Sequence, residues 1–270
     1  VAIVAPSFAG QFGKNVTAAK FVAGMKALGF AAVEEVAVGA DICAVEEAKD
    51  YLEKVPAEQR FLATSCCPSW RMMARRLFPK ESGNISMTYT PMVYTARMVK
   101  EKRPGCKVVF VGPCAAKKLE AMQEELRSDV DFVLTYEELM GIFEAKEIDL
   151  EAIEPDEELH DGTSLGRGFA AAGGVALAVE DVIRQTHPEA EVKVQRADGL
   201  RECRRLLTLA KAGKLDGYLL EGMACPGGCI AGAGTLIAPD QAAKRLKEHM
   251  AQADVTSCAD SPFCTELTGS

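Results

Sequence analysis

Seven short apolar runs, separated mostly by segments of helical period, restrict the fold of this chain more than any other feature. They are VAIVAP (1–6), AAVEEV (31–36), FLATS (61–65), KVVFVG (107–112), DFVLT (131–135), VKVQRA (192–197) and YLLEGM (218–223). Runs rich in Val, Ile, Leu and Phe mark strands buried on both faces, and such strands alternating with helices make an α/β fold with a mostly parallel sheet. Helical period is clear over 16–28 and 45–55, and 168–184 reads as a buried helix of small residues. The acidic stretch 144–161, broken by Pro155, reads as a surface connection, and TSCADSPFCTELTGS (256–270) as a loose tail within a possible tail from about 250.

Three of the runs end in cysteine segments. FLATS leads into Cys66 and Cys67, KVVFVG into Cys114, and YLLEGM into Cys225. Ligands of open α/β sheets collect beyond the carboxyl ends of the strands, so three strands delivering sulfur there point to one shared site. A chain of 270 residues, 48% hydrophobic, buries a full core without a disulfide framework. Its ten cysteines therefore point to metal thiolates or redox chemistry. The three histidines, His160, His187 and His249, lie in polar contexts and do not suggest a histidine-rich metal site.

A formal net charge of −8, with no long basic run, argues against a nucleic-acid partner. No apolar run approaches the roughly 18–20 residues of a membrane span. The opening VAIVAPSFAG has neither an initiator Met nor the features of a signal peptide, so the expected location is cytoplasmic and an N-terminal cluster-binding or signalling segment of a longer chain is expected to be absent.

A 4Fe-4S cube takes four thiolates, which Cys67, Cys114, Cys225 and Cys229 would supply. The glycines of CPGGC let the backbone approach an inorganic cluster closely. A bare CxxxC reads equally well as two core or surface thiols. Here, however, TSCCPSW (64–70), PCAAKKLE (113–120) and EGMACPGGC (221–229) together resemble the three signatures of the FeFe-hydrogenase family, in order and across nearly the whole chain. APS (5–7) and GFAAAGGV (168–175) add weaker matches.

The resemblance implies a composite cofactor, the H-cluster: a 4Fe-4S cube joined through one cysteine sulfur to a two-iron unit carrying carbonyl, cyanide and a bridging dithiolate amine. Cys67, Cys114 and Cys225 would hold the cube, and Cys229 would both hold it and bridge to the two-iron unit. Lys117 would donate to a cyanide, although beside Lys118 it also reads as a solvated lysine. Ala5, Pro6 and Ser7 would meet another cyanide, and Met223 would pack its thioether near the two-iron unit unless it is simply a core methionine. Implied partners are a ferredoxin-like electron carrier and hydrogenase maturation proteins.

Hydrogen chemistry needs protons carried across a dry interior. Cys66, beside a ligand without being one, matches the last relay group of the family. Glu47 and Asp50, one helical turn apart, match its two carboxylates, with Ser86 between them and Lys54 at the surface end. The family commonly has Glu where Asp50 stands and Arg where Lys54 stands. A carboxylate pair on a helix is otherwise a solvated face.

Other departures concern the pocket. Gly112 stands where family members often carry Met, and IAGAGTL follows Cys229 where GGGQP is familiar. Cys43, Cys106, Cys203, Cys258 and Cys264 match no role and read as core or free thiols. The expectation is a ferredoxin-type FeFe-hydrogenase domain over 1–270, reversibly reducing protons to dihydrogen. Its two lobes, each a twisted parallel sheet flanked by helices, would close on the cluster. A hydrogen-sensing domain, or a cluster-assembly protein holding a cube without the two-iron unit, are the alternatives.

Overall fold

The computed structural model describes residues 1–264. Strands form in all seven apolar runs: β1 (Ala2–Val4), β2 (Val33–Glu35), β3 (Leu62–Ala63), β4 (Val109–Gly112), β5 (Phe132–Thr135), β6 (Lys193–Asp198) and β7 (Tyr218–Met223). All pair in parallel, in two sheets of order β2-β1-β4-β5 and β3-β7-β6. The helices are α1 (Ala18–Ala27), α2 (Val36–Lys54), α3 (Pro68–Leu77), α4 (Pro91–Lys102), α5 (Ala116–Ala121), α6 (Tyr136–Ala145), α7 (Ser164–Gly168), α8 (Gly174–Thr186), α9 (Leu200–Lys211) and α10 (Pro239–Met250). The chain is thus an α/β protein with parallel sheets flanked by helices.

Successive side chains of a strand point to opposite faces, and both faces here are covered. In the first sheet Ala2 and Val4 join Phe21 and Met25 of α1 and Phe143 of α6, while Ile3 joins Met92 and Val93 of α4. In the second, Leu62 and Leu219 join α8 through Val175 and Val179. Ala63 and Leu220 join Trp70 and Ala74 of α3 and Leu206 and Leu207 of α9. Two-sided burial is why these strands read as continuous apolar runs.

α2 lies between the lobes, packed on α4 at one side and α8 at the other. Every residue from Val36 to Val45 is buried, so this half carries no amphipathic stripe. Period alone therefore finds only the second half of the helix, over 45–55.

Two expectations are corrected. Residues 168–184 do not form one helix: α7 ends at Gly168, and α8 begins only after Gly173, whose φ of 87° is left-handed. In the break, Ala171 forms a bridge with Gly228 of CPGGC. The segment after 250 is also not loose as far as it is described. Cys258 and Cys264 are fully buried, and Ser257 Oγ donates to Asp181 at 2.5 Å. Thr163 Oγ1 lies 3.6 Å from Cys258 Sγ and donates to the buried Asp41 at 2.6 Å. Residues 265–270 of that expected tail lie outside the described residues.

Candidate active site

Strand order in the first sheet reverses at β1, with β2 on one side and β4 on the other. A crevice opens beyond the carboxyl ends at such a point. β1 runs into Ala5–Ser7, and β4 runs into Cys114; from the second sheet β3 leads to Cys66 and Cys67, and β7 leads to Cys225 and Cys229. All of these residues line one cavity of about 100 Å³, together with Lys117 and Met223. The convergence expected from strand endings is therefore present, and it draws on both lobes.

Local structure fixes each thiol. Cys67 is the residue before α3, whose first turn starts at Pro68, a position where the missing N–H costs nothing. Burial pushes the Cys67 thiol up, while N–H groups of Trp70 and Ala224 pull it back by hydrogen bonding. Gly228 has φ 94°, and a Cβ there would lie 2.7 Å from the Ala171 carbonyl carbon, so the CPGGC loop requires glycine at that position. Burial also raises Cys225 and Cys229, and the other cysteines add to both shifts. Thiols so placed need a cation to become thiolates. Among the described residues no three His, Cys, Asp or Glu side chains close on a single-ion position. The four thiols instead ring a cavity, an arrangement that fits a cube with a cysteine at each iron corner.

Lys117 is 9% exposed. Its Nζ pairs with Glu120 at 2.7 Å and donates to the Cys66 carbonyl at 3.3 Å. Burial works to lower its pKa, but Glu120, with Cys114 and Cys66, outweighs burial and raises it, so the ammonium stays charged. Thr90 Oγ1 donates to the other Glu120 oxygen at 2.9 Å. Ser7 is engaged with Tyr136, the hydroxyls lying 2.7 Å apart, and Tyr136 donates to the Ala5 carbonyl at 3.1 Å. Sequence reading missed Tyr136, which belongs to no cysteine motif, and gave no role to Glu120, the last residue of PCAAKKLE.

The proton-path candidates are only partly joined. Glu47 is fully buried beneath the Cys66 segment, and its Oε1 accepts the Ser65 N–H at 2.7 Å. Burial pushes Glu47 up to about 7. Asp50 accepts from Ser86 Oγ at 2.9 Å and from Lys54 Nζ at 2.6 Å. Ser86 bonds Asp50 but makes no hydrogen bond to Glu47: its second partner is Thr88 Oγ1, at 2.8 Å, and among the described residues Glu47 Oε2 has no hydrogen-bond partner. Burial drives Cys66 well above an ordinary thiol, with Glu47 and Cys43 adding to the shift, so it is protonated at neutral pH.

The pocket wall explains one departure. Phe110 and Gly112 lie on the same face of β4, and a Cβ at 112 would lie 2.5 Å from Phe110 Cε1 and 3.2 Å from Ala5 Cβ. The Phe110 ring thus takes space beside residue 112 and itself lines the cavity. Alternation along the strand was the signal that could have found it.

The family described as "Iron only hydrogenase large subunit, C-terminal domain" matches residues 1–233. The chain is 26% identical over 269 residues to the periplasmic [Fe] hydrogenase large subunit of Nitratidesulfovibrio vulgaris, covering 83% of this chain and 64% of that one. It is 30% identical to the NADP-reducing hydrogenase subunit HndD of Solidesulfovibrio fructosivorans, covering 82% and 46%. The human nuclear prelamin A recognition factor is 28% identical, covering 91% and 65%. The chain therefore spans about half to two thirds of the length of these curated relatives. In fold it matches an apo FeFe-hydrogenase from Chlamydomonas reinhardtii with TM-score 0.76 at 21% identity, covering 100% of this chain and 88% of that one. No helix among the described residues is long and apolar enough to cross a membrane. With 233 of its residues matched from the first onward and the same fold, the chain belongs to the iron-only hydrogenase large-subunit family.

Proposed function

We propose that the chain is the catalytic domain of an FeFe-hydrogenase, interconverting two protons and two electrons with dihydrogen. One observation carries the reading. Cys66, Lys117, Met223 and Ser7 share a single cavity with Cys67, Cys114, Cys225 and Cys229, so groups are present beyond those that a cube alone needs. The cysteine chemistry, the N–H groups on Cys67 and the charged Lys117 fit a cube joined to an anionic two-iron unit. That unit, with carbonyl, cyanide and a bridging dithiolate amine, supplies the hydrogen chemistry when bound.

The chain's own groups hold and feed it. Cys67, Cys114, Cys225 and Cys229 would ligate the cube, Cys229 also bridging to the two-iron unit. Lys117 has three donor hydrogens, two of them directed to Glu120 and the Cys66 carbonyl, which leaves one for an anionic ligand in the cavity. Ala5, Pro6, Ser7 and Met223 would pack against the two-iron unit and exclude water. Cys66 can hold a proton at neutral pH, and Glu47, with its pKa near 7, can exchange one at working pH. Asp50, Ser86 and Lys54 would continue the path outward. Reducing equivalents would come from a ferredoxin-like carrier, and maturation proteins would load the site. The thiol-rich site fits a reducing compartment such as the cytoplasm, although one relative is named periplasmic.

A second reading is a cube-bearing cluster-assembly protein without the two-iron unit. It is favoured by the similarity to relatives named for prelamin A recognition rather than for hydrogenase. A hydrogen sensor, the third, is favoured by the Phe110–Gly112 wall. The test is an infrared spectrum of protein co-expressed with maturation machinery. Bands from metal-bound carbonyl and cyanide that shift under hydrogen are expected; a blank spectrum from matured, cube-containing protein overturns the proposal in favour of the second reading, and bands with only slow turnover favour the sensor.

A further inference from the structure

Residues 255–264 cross α2, α7 and α8 as a strap. The helix beneath is the one that lines the cavity with Val36 and Ala40 and carries Glu47. Backbone bonds fasten the start of the strap: the carbonyls of Val255 and Thr256 accept the N–H groups of Ser164 and Leu165 of α7 at 2.8 and 3.0 Å. Beyond them Ser257 is buried, and Cys258, Ser261 and Cys264 are fully so. Cys258 and Cys264 belong to the same apolar cluster as Cys43 and Ala44 of α2 and Val179 of α8.

The strap closes over a carboxyl. Asp41 of α2 is fully buried and accepts from Thr163 Oγ1 at 2.6 Å and from the Thr163 N–H at 3.3 Å. Cys258 and Ser261 face it from the strap, Ser261 Oγ being buried without a closed hydrogen bond, and Cys264 lies near enough to feel its charge. α7 leaves no space on its side, since a Cβ at Gly166 would overlap Asp41 Oδ1. The neighbouring charges are committed elsewhere. Arg167 of α7 pairs with Glu35, Asp181 of α8 accepts from Ser257 at 2.5 Å, and Glu46 and Lys49, beside Cys264, pair with each other at 3.2 Å. Among the described residues Asp41 makes no ion pair.

We propose that the strap is a pH-operated latch, fastened while Asp41 holds its proton and released when Asp41 ionises, uncovering α2. A neutral carboxyl suits a pocket of hydroxyls and thiols, whereas a carboxylate there has no cation and gains water only if the strap lifts. Burial raises Asp41 from 3.8 to about 7, outweighing the hydrogen bonds from Thr163, Cys258 and Ser261 that lower it. With the strap lifted, the carboxyl returns to its ordinary value. Below about pH 3.8 the fastened and lifted forms both hold the proton. From there to about pH 7 only the lifted form releases it, so lifting grows easier as pH rises, and the gain is complete above about 7.

The test is alkylation of Cys258 and Cys264 by N-ethylmaleimide in the purified protein, read thiol by thiol from peptide masses. Each rate is divided by that of the same thiol in urea-unfolded protein at the same pH, which cancels the ordinary pH dependence of thiols. Between about pH 5.5 and about pH 8 the ratio is expected to rise roughly 30-fold for both thiols. Cys203, fully buried between α9 and the second sheet, is expected to keep its protection. Asp41→Asn, neutral at every pH, is expected to abolish the rise. Ser257→Ala removes the bond to Asp181 without touching Asp41, so it is expected to raise the ratio equally at both pH values and keep the slope. That parallel slope, with the wild-type profile, decides the matter if Asp41→Asn does not fold. A wild-type ratio that does not change with pH overturns the proposal. So does a rise that Asp41→Asn retains, or one that Cys203 shares, which would be unfolding of the whole chain rather than release of the strap.

Discussion

Glu47 should make the folded chain lose stability as pH rises, and Glu47→Gln should remove that loss. In the folded state its carboxyl is fully buried and titrates at about 7, against an ordinary value of 4.5. Below about pH 4.5 folded and unfolded chains both hold the proton, and the side chain is buried neutral. Between about 4.5 and 7 the unfolded chain releases its proton while the folded chain keeps it, so stability falls with pH. The whole difference corresponds to about 3 kcal/mol, complete once pH passes 7. Asp41, raised from 3.8 to about 7 by burial, acts in the same direction and is untouched by the substitution. The amide oxygen introduced by Glu47→Gln can still accept from Ser65, while its NH₂ would occupy the place of Oε2, which has no partner. That mismatch costs about 1–3 kcal/mol, but equally at every pH. Urea unfolding of the apo protein at about pH 5 and about pH 8 separates the two effects. The stability difference between wild type and variant should shift by about 2.5 kcal/mol in the variant's favour across that interval, the first part of the loss being already complete at pH 5. Parallel pH profiles would mean that Glu47 ionises at its ordinary value, and would refute the argument.

Gly222→Ala would place a Cβ 2.5 Å from Trp70 Cε2, forcing the fully buried indole and the start of α3 to move. A loss of about 1–3 kcal/mol is expected, read as a lower melting temperature, with poorer iron retention because Cys67 caps that helix. Arg167→Met would remove the cation from buried Glu35, which accepts from Arg167 Nε at 2.9 Å and Nη2 at 3.1 Å, leaving it the Gly162 N–H at 3.0 Å and His249 Nε2 at 3.5 Å. A loss of about 3–5 kcal/mol in urea melts is expected, and a loss below 1 kcal/mol would contradict it. Ser86→Ala removes the hydroxyl on Asp50. If the proposed path operates, viologen-coupled hydrogen production should fall roughly 100-fold while the infrared bands persist.

The strands were legible because burial on both faces writes itself into composition: Ala2 to Val4 or Val109 to Gly112 can be little else. The shared site was legible because three strand ends carry cysteine. What escaped detection depends on partners remote in sequence. The first half of α2 is uniformly apolar because α4 and α8 enclose it, and a period needs a solvent face. The region 168–174 breaks because Ala171 meets Gly228, far along the chain. The segment holding Cys258 and Cys264 packs by way of Asp41 and Thr163, a contact with no local pattern. Ser86 was placed near the right carboxylates, but which of them it bonds depends on the loop around Thr88, which no helix spacing determines.

The path of the chain between the sheets sets an order for its synthesis. β1 and β2 belong to the first sheet, β3 to the second, β4 and β5 to the first again, and β6 and β7 to the second. Among the described residues β3 pairs with β7, the last strand in chain order, and otherwise meets a single bridge from Ala63 to Ile85. Leu62 and Ala63, with Cys66 and Cys67 just beyond them, therefore wait for their strand partner until the residues up to β7 are made, with only the Ala63–Ile85 bridge among the described residues to hold that edge, the kind that aggregates or engages chaperones. Iron delivered before that moment would find Cys114 and a loosely held Cys67, but neither Cys225 nor Cys229. Completion of the thiol ring is thus coupled to completion of the second sheet, and a nascent chain stalled before β7 lacks both Cys225 and Cys229 of the ring.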